Sequence, residues 1–148
     1  MELNEVDKYE NKANLIGKWL QIINGVYEGR KCQVKGKAES GLMVQLDSKE
    51  TVNINYCDLE PIPVKKDWQI KAFREWLSDR EYKWANQKDK NNKSRPADHQ
   101  QRYVELYYNS KHYLSKLEHK TIFENVKSTD MDAIRHICDS IIAVMESR

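Results

Sequence analysis

The chain has 148 residues, 25 Lys plus Arg against 23 Asp plus Glu, a formal net charge of +2, and 39% hydrophobic residues. That length holds one ordinary domain or two small ones, and so balanced a charge does not by itself announce a nucleic-acid binder. Four Trp and eight Tyr argue against wholesale disorder, and the longest apolar run, Ile141 to Met145, falls far short of the roughly 20 residues of a membrane span.

Residues 1–14 read as an acidic N-terminal segment, and the opening Met-Glu-Leu-Asn-Glu-Val-Asp has none of the character of a secretory signal. Three cysteines (Cys32, Cys57 and Cys138) form no CxxC pair. An odd count without a signal fits reduced thiols in a cytoplasm. His99, His112, His119 and His136 show neither HxxxH nor HExxH spacing, so no metal site and no cofactor are expected. No membrane association is expected either.

All five glycines (Gly17, Gly25, Gly29, Gly36 and Gly41) lie in the first 41 residues. Glycine punctuates turns between short strands, so the front half reads as β and the rest as helical. Pro61-Ile62-Pro63-Val64-Lys65-Lys66 forms an extended linker between them. Within the front half the period is two. Leu20 and Ile22 alternate with Trp19, Gln21 and Ile23. Cys32 and Val34 alternate with Lys31, Gln33 and Lys35. Leu42, Val44 and Leu46 alternate with Met43 and Gln45, and Val52, Ile54 and Tyr56 with Thr51, Asn53 and Asn55. Four half-buried strands follow, and Leu59, Ile62 and Val64 offer a fifth. Five short antiparallel strands in about 50 residues bury their apolar faces best by curling into a small barrel.

The run Gly17-Lys18-Trp19-Leu20-Gln21-Ile22-Ile23-Asn24-Gly25-Val26-Tyr27-Glu28-Gly29-Arg30-Lys31-Cys32-Gln33-Val34 resembles a KOW motif, a strand, a G-x-aromatic-x-G turn and a second alternating strand. Leu42 to Leu46, Val52 to Asn55 and Asp58 to Ile62 continue as such SH3-like barrels do, so residues 15–64 are similar to the KOW barrels of NusG-type elongation factors and ribosomal proteins. Cys32 departs from the pattern, standing where many members carry glycine. The resemblance implies an SH3-like barrel whose ligand is RNA, DNA or a protein.

Lys18, Arg30, Lys31, Lys35 and Lys37 face only Glu28 between residues 18 and 37. Such a strand and turn can track a phosphate backbone, or its charges can simply solvate a face and discourage edge pairing. Trp19, Tyr27 and Tyr56 likewise offer either a stacking platform, a cage for a methylated side chain, or core. Trp19 is the residue expected to be exposed, since Leu20 and Ile22 claim the inward phase.

The back half, residues 67–148, predicts a three-helix bundle. The first helix starts near Asp67 and runs to about Gln87, with Ile70, Phe73, Trp76, Leu77 and Trp84 on one stripe. The second starts near Pro96, with Val104, Tyr107, Tyr108, Leu114 and Leu117 along its buried side. The third starts after Ser128 or Thr129 and carries Met131, Ile134, Ile137, Cys138, Ile141 and Met145. Thr121 to Val126 is expected to add a short turn that plugs the bundle with Ile122 and Phe123. Phe73 to Leu77, Ser94-Arg95-Pro96, Tyr103, Ile122 to Val126 and Asp130 to Ile137 resemble the helical core-binding domain of tyrosine recombinases, which implies DNA contact without chemistry. Similar segments precede some restriction nucleases.

Residues 64–148 hold 17 bases and 13 acids, against eight and ten in residues 1–63. The loop 86–95 concentrates Lys88, Lys90, Lys93 and Arg95 around Asn residues, a composition that solvates a turn or grips phosphates. No P-loop, GxSxG, GxGxxG or paired-carboxylate motif is present. The expectation is therefore an α+β protein, a five-stranded SH3-like barrel followed by a three-helix bundle, acting as a non-enzymatic nucleic-acid-binding accessory protein. Its site would comprise Trp19, Tyr27, Arg30, Lys31, Lys35, Lys37, Lys88, Lys90, Lys93 and Arg95. The rival reading is a protein–protein adaptor, or an inhibitor docking on a nucleic-acid enzyme, with Trp68, Trp84 or Tyr108 as exposed anchors.

Overall fold

Period-two alternation in the front half becomes five strands: β1 Trp19–Ile22, β2 Lys31–Ala38, β3 Gly41–Leu46, β4 Thr51–Ile54 and β5 Leu59–Pro61. The structure is a computed structural model in which residues 12–148 are described; most of the acidic segment 1–14 lies outside the described residues. The chain divides into two units between Ile62 and Pro63.

In the first unit the strands form one antiparallel sheet in the order β4-β3-β2-β1-β5. Leu20 sits opposite Cys32, and Cys32 opposite Leu46. The inward phase is therefore shared across three strands, and Leu20, Ile22, Cys32, Val34, Leu42, Val44, Leu46 and Leu59 are all buried. Burial pushes the Cys32 thiol up to about 11. A 3-10 turn at Tyr56–Asp58 delivers Tyr56 to the same core and leads into β5. β5 ends at Pro61, and Val64 is exposed rather than part of a strand.

Two backbone features shape the sheet. Gly25 and Gly29, at φ 89° and 87°, frame the β1–β2 turn, which closes through Gly29 N–H to the Ile22 carbonyl at 2.7 Å. A register shift between Val34 and Gly36 makes Lys35 an extra residue in β2 and bends the strand.

The second unit contains four helices, one more than the periodicity predicts: α1 Asp67–Ala85, α2 His99–Ser110, α3 Lys116–Glu124 and α4 Met131–Glu146. The apolar stripe from Val104 to Leu117 crosses a break. α2 ends at Ser110, a turn carries the buried Leu114, and Ser115 then caps α3 in a reciprocal capping box with Glu118. The segment expected as a plugging turn is the second half of α3, with Phe123 in the core. Helix starts also shift: Asp98 rather than Pro96 opens α2, accepting from Gln101 N–H at 2.7 Å. Asp130 rather than Ser128 or Thr129 opens α4, accepting from Ala133 N–H at 2.8 Å. Phe73, Trp84, Leu106, Ile137, Ile141 and Met145 form the centre of this core.

Candidate nucleic-acid interface

Because Leu20 and Cys32 point inward, their neighbours in sequence point outward. Trp19 on β1 is 53% exposed and lies opposite Gln33 on β2, which lies opposite Gln45 on β3. Gln33 Nε2 donates to the Gly17 carbonyl at 3.0 Å and Gln45 Nε2 to the Lys49 carbonyl at 3.3 Å. Lys31 and Lys35 occupy the same phase of β2, two residues either side of Gln33, and both are exposed. The result is an indole on an outward sheet face that also carries Gln33, Gln45, Lys31 and Lys35. Toward β5 this face ends at Gln21, which is buried and donates to Glu60 at 2.6 Å.

Other expected residues do not join it. Tyr27 is half-buried and packs against the strand core. Arg30 ion-pairs with Asp47 of the β3–β4 turn at 2.6 Å, also reaches Ser48 at 3.3 Å, and has its guanidinium 5.8 Å from the Tyr27 ring centroid. That hydrogen bond and charge hold the Asp47 carboxyl below its ordinary value. Arg30 thus fastens one turn to another instead of standing free for phosphate. Lys37 is exposed beyond the β2 bulge, paired in register with Leu42 at the far end of the strand. Tyr56, with 5% exposure, belongs to the core and to no platform.

The basic segment of the second unit is an ordered hairpin, not an open loop. Lys88 and Ser94 pair as an antiparallel bridge, with Asp89 N–H to the Lys93 carbonyl at 2.9 Å and Arg95 N–H to the Gln87 carbonyl at 2.8 Å. Lys88, Lys90, Lys93 and Arg95 are exposed on it. Of the cations before it, Arg80 is committed to Glu105 and Lys83 to Asp79 at 3.0 Å. Arg102, on α2, lies over the Trp84 ring at 5.5 Å and donates to the Ala97 carbonyl at 3.3 Å.

Trp84 is 1% exposed and cannot serve as a docking anchor; its indole N–H donates to Glu105 at 2.9 Å. Trp68 and Tyr108 are exposed at 65% and 62%. Burial pushes the Cys138 thiol up to about 12, leaving almost no thiolate at neutral pH. Among the described residues no group of three or more His, Cys, Asp or Glu is placed to hold a metal ion, and no helix is long and apolar enough to cross a membrane.

Sequence reasoning passed over Gln33 and Gln45, although the alternation that turns Trp19 outward applies equally to them. No family model, no curated protein and no solved structure matches the chain.

Proposed function

We propose that this chain is a non-enzymatic accessory protein that binds nucleic acid, using the outward face around Trp19 in one unit and the basic hairpin in the other. The observation that carries the reading is the exposed Trp19 indole on β1, opposite Gln33 of β2, with the exposed Lys31 and Lys35 two residues either side of Gln33 on the same face. An aromatic face stacks on any base, and flanking lysines neutralise the phosphates that come with it. The first unit is proposed as an SH3-like barrel of the KOW type. Support comes from the strand order β4-β3-β2-β1-β5 and the turn framed by Gly25 and Gly29.

Trp19→Ala is expected to weaken binding of single-stranded DNA or RNA by about 1–3 kcal/mol, and Lys31→Ala with Lys35→Ala to flatten its salt dependence. Unchanged affinity in both variants contradicts this use of the sheet face.

The second reading, an adaptor or inhibitor that docks on a protein, has its own support. A groove between α1 and α2 is lined by Trp76, Val104, Tyr108 and Asn109, and the buried Asn109 Nδ2 has no hydrogen-bond partner. On this reading Tyr108→Ala abolishes capture of the partner while substitutions at Trp19 leave it intact.

A further inference from the structure

The hairpin of residues 86–95 carries four cations and one acid on an ordered turn. Its apex is a tight turn in which Asn92 N–H donates to the Asp89 carbonyl at 3.0 Å, with Asn92 at φ 61°. The one acid, Asp89, is turned back into the turn, where its Oδ1 accepts from the backbone N–H groups of Asn91 at 2.8 Å and Lys93 at 3.0 Å. The outward side of the apex therefore presents the exposed carboxamides of Asn91 and Asn92, with Lys88, Lys90, Lys93 and Arg95 around them.

We propose that this hairpin enters the major groove of B-form duplex DNA, with its four cations on the flanking phosphates and the Asn91 and Asn92 carboxamides at the base edges. The inference rests on the nucleic-acid reading above and adds a target, a groove and two reading residues. Width selects the groove: a two-stranded ribbon fits the major groove of B-DNA, about 12 Å wide. The deep, narrow major groove of A-form RNA does not admit one. Chemistry selects the bases, since a carboxamide offers a donor and an acceptor that match N6 and N7 of adenine. The division of labour follows, with phosphate contacts positioning and base contacts specifying.

The base of the hairpin is built to hold it out. Ala97 is buried and donates its N–H to the Trp84 carbonyl at 2.8 Å, which fastens the outgoing strand to the end of α1. Gln87 and Gln101 exchange amide hydrogen bonds at 3.1 and 2.7 Å, which ties the incoming strand to α2. A ribbon already held in its binding shape loses little conformational freedom on entering a groove.

The test is a fluorescence-anisotropy titration of the full chain with a mixed-sequence duplex DNA and with the duplex RNA of the same sequence, over a salt series. Duplex DNA is expected to bind at least about tenfold tighter than duplex RNA. Combined Lys88→Ala, Lys90→Ala, Lys93→Ala and Arg95→Ala substitution is expected to reduce the slope of log K against log salt by about 3.6, four phosphates at about 0.9 each. Asn91→Ala with Asn92→Gly, the glycine keeping the left-handed backbone, should leave the slope alone. It should erase a preference of about fivefold to a hundredfold for A·T-containing over G·C-only duplexes. All six positions are exposed, and an unchanged melting temperature and far-UV circular dichroism spectrum check that the variants fold. Equal affinity for the two duplexes, or an unchanged salt slope in the neutralised hairpin, overturns groove entry while leaving binding through the Trp19 face standing. Failure of the unsubstituted chain to bind any DNA or RNA overturns both.

Discussion

Glu105 shows how much a single side chain settles in the helical unit. Its two oxygens accept from the Trp84 indole at 2.9 Å, from Gln101 at 3.0 Å, and from Arg80. Burial opposes its ionisation, but these hydrogen bonds and the Arg80 charge hold the carboxyl below its ordinary value. Removing it strands a buried indole N–H, so Glu105→Ala is expected to lower unfolding stability by about 2 kcal/mol or more in urea titration. Glu105→Gln keeps an acceptor and should lose less. His119 makes a second, pH-dependent case. It is 8% exposed, stacks on Phe123 at 4.5 Å, and has Nε2 2.8 Å from the Tyr107 carbonyl, where the neutral ring donates. Burial, together with the Lys111 charge, moves its pKa below the ordinary value of 6.5. As pH falls below about 6.5 the unfolded chain takes up a proton that the folded chain refuses, so this contribution to stability declines toward the folded pKa. The urea midpoint should therefore drop between about pH 7.5 and 5.5, and His119→Gln should flatten that drop.

At the scale of elements, two pairs of substitutions separate turn chemistry from packing. A Cβ on Gly41, at the start of β3, would meet the Ile54 carbonyl oxygen at 2.2 Å, whereas one on Gly36 meets nothing within 4 Å. Gly41→Ala is expected to destabilise by about 1–3 kcal/mol and Gly36→Ala by much less, as read from thermal melting. Ser115→Ala removes half of the capping box and should cost about 1 kcal/mol, with Thr restoring most of it. The capping box also explains what the residue pattern hid. Tyr107, Leu114 and Leu117 continue in helical phase across the Ser110–Ser115 turn, so periodicity alone joins α2 to α3. The Ser115-x-x-Glu118 signature was the signal that separates them. The strands were legible because inward residues recur every second position, and the first turn was marked by Gly25 and Gly29. The hairpin was not, because it has no apolar residues and is held by backbone bonds and the Asp89 carboxylate; Asp at the start and Asn at its positive-φ position were its only marks. The Arg30–Asp47 pair spans 17 residues and joins two turns, a proximity that no local pattern encodes.

For the whole molecule, charge is informative only when sorted by what each cation already touches. The formal balance of +2 conceals exposed lysines on β2 and on the 86–95 hairpin, while Arg30, Arg74, Arg80 and Arg148 are each bound to a carboxylate. Arg148 is the most committed, bonding Glu118 at 2.5 Å and the Tyr113 carbonyl at 2.7 Å with its side chain only 7% exposed. Arg148→Ala leaves the Glu118 carboxylate without that partner and is expected to lower the melting temperature while leaving nucleic-acid affinity unchanged at temperatures where the chain is folded. Fixed cations hold the fold, and the unpaired lysines are the ones available to a polyanion. The central claim is most directly tested by titrating the intact chain with single-stranded and duplex DNA and RNA at about 50 and about 200 mM salt. Micromolar or tighter binding that falls steeply between the two is the predicted result, because released counterions drive it. No binding at the lower salt, or an affinity that stays flat, would contradict the nucleic-acid reading.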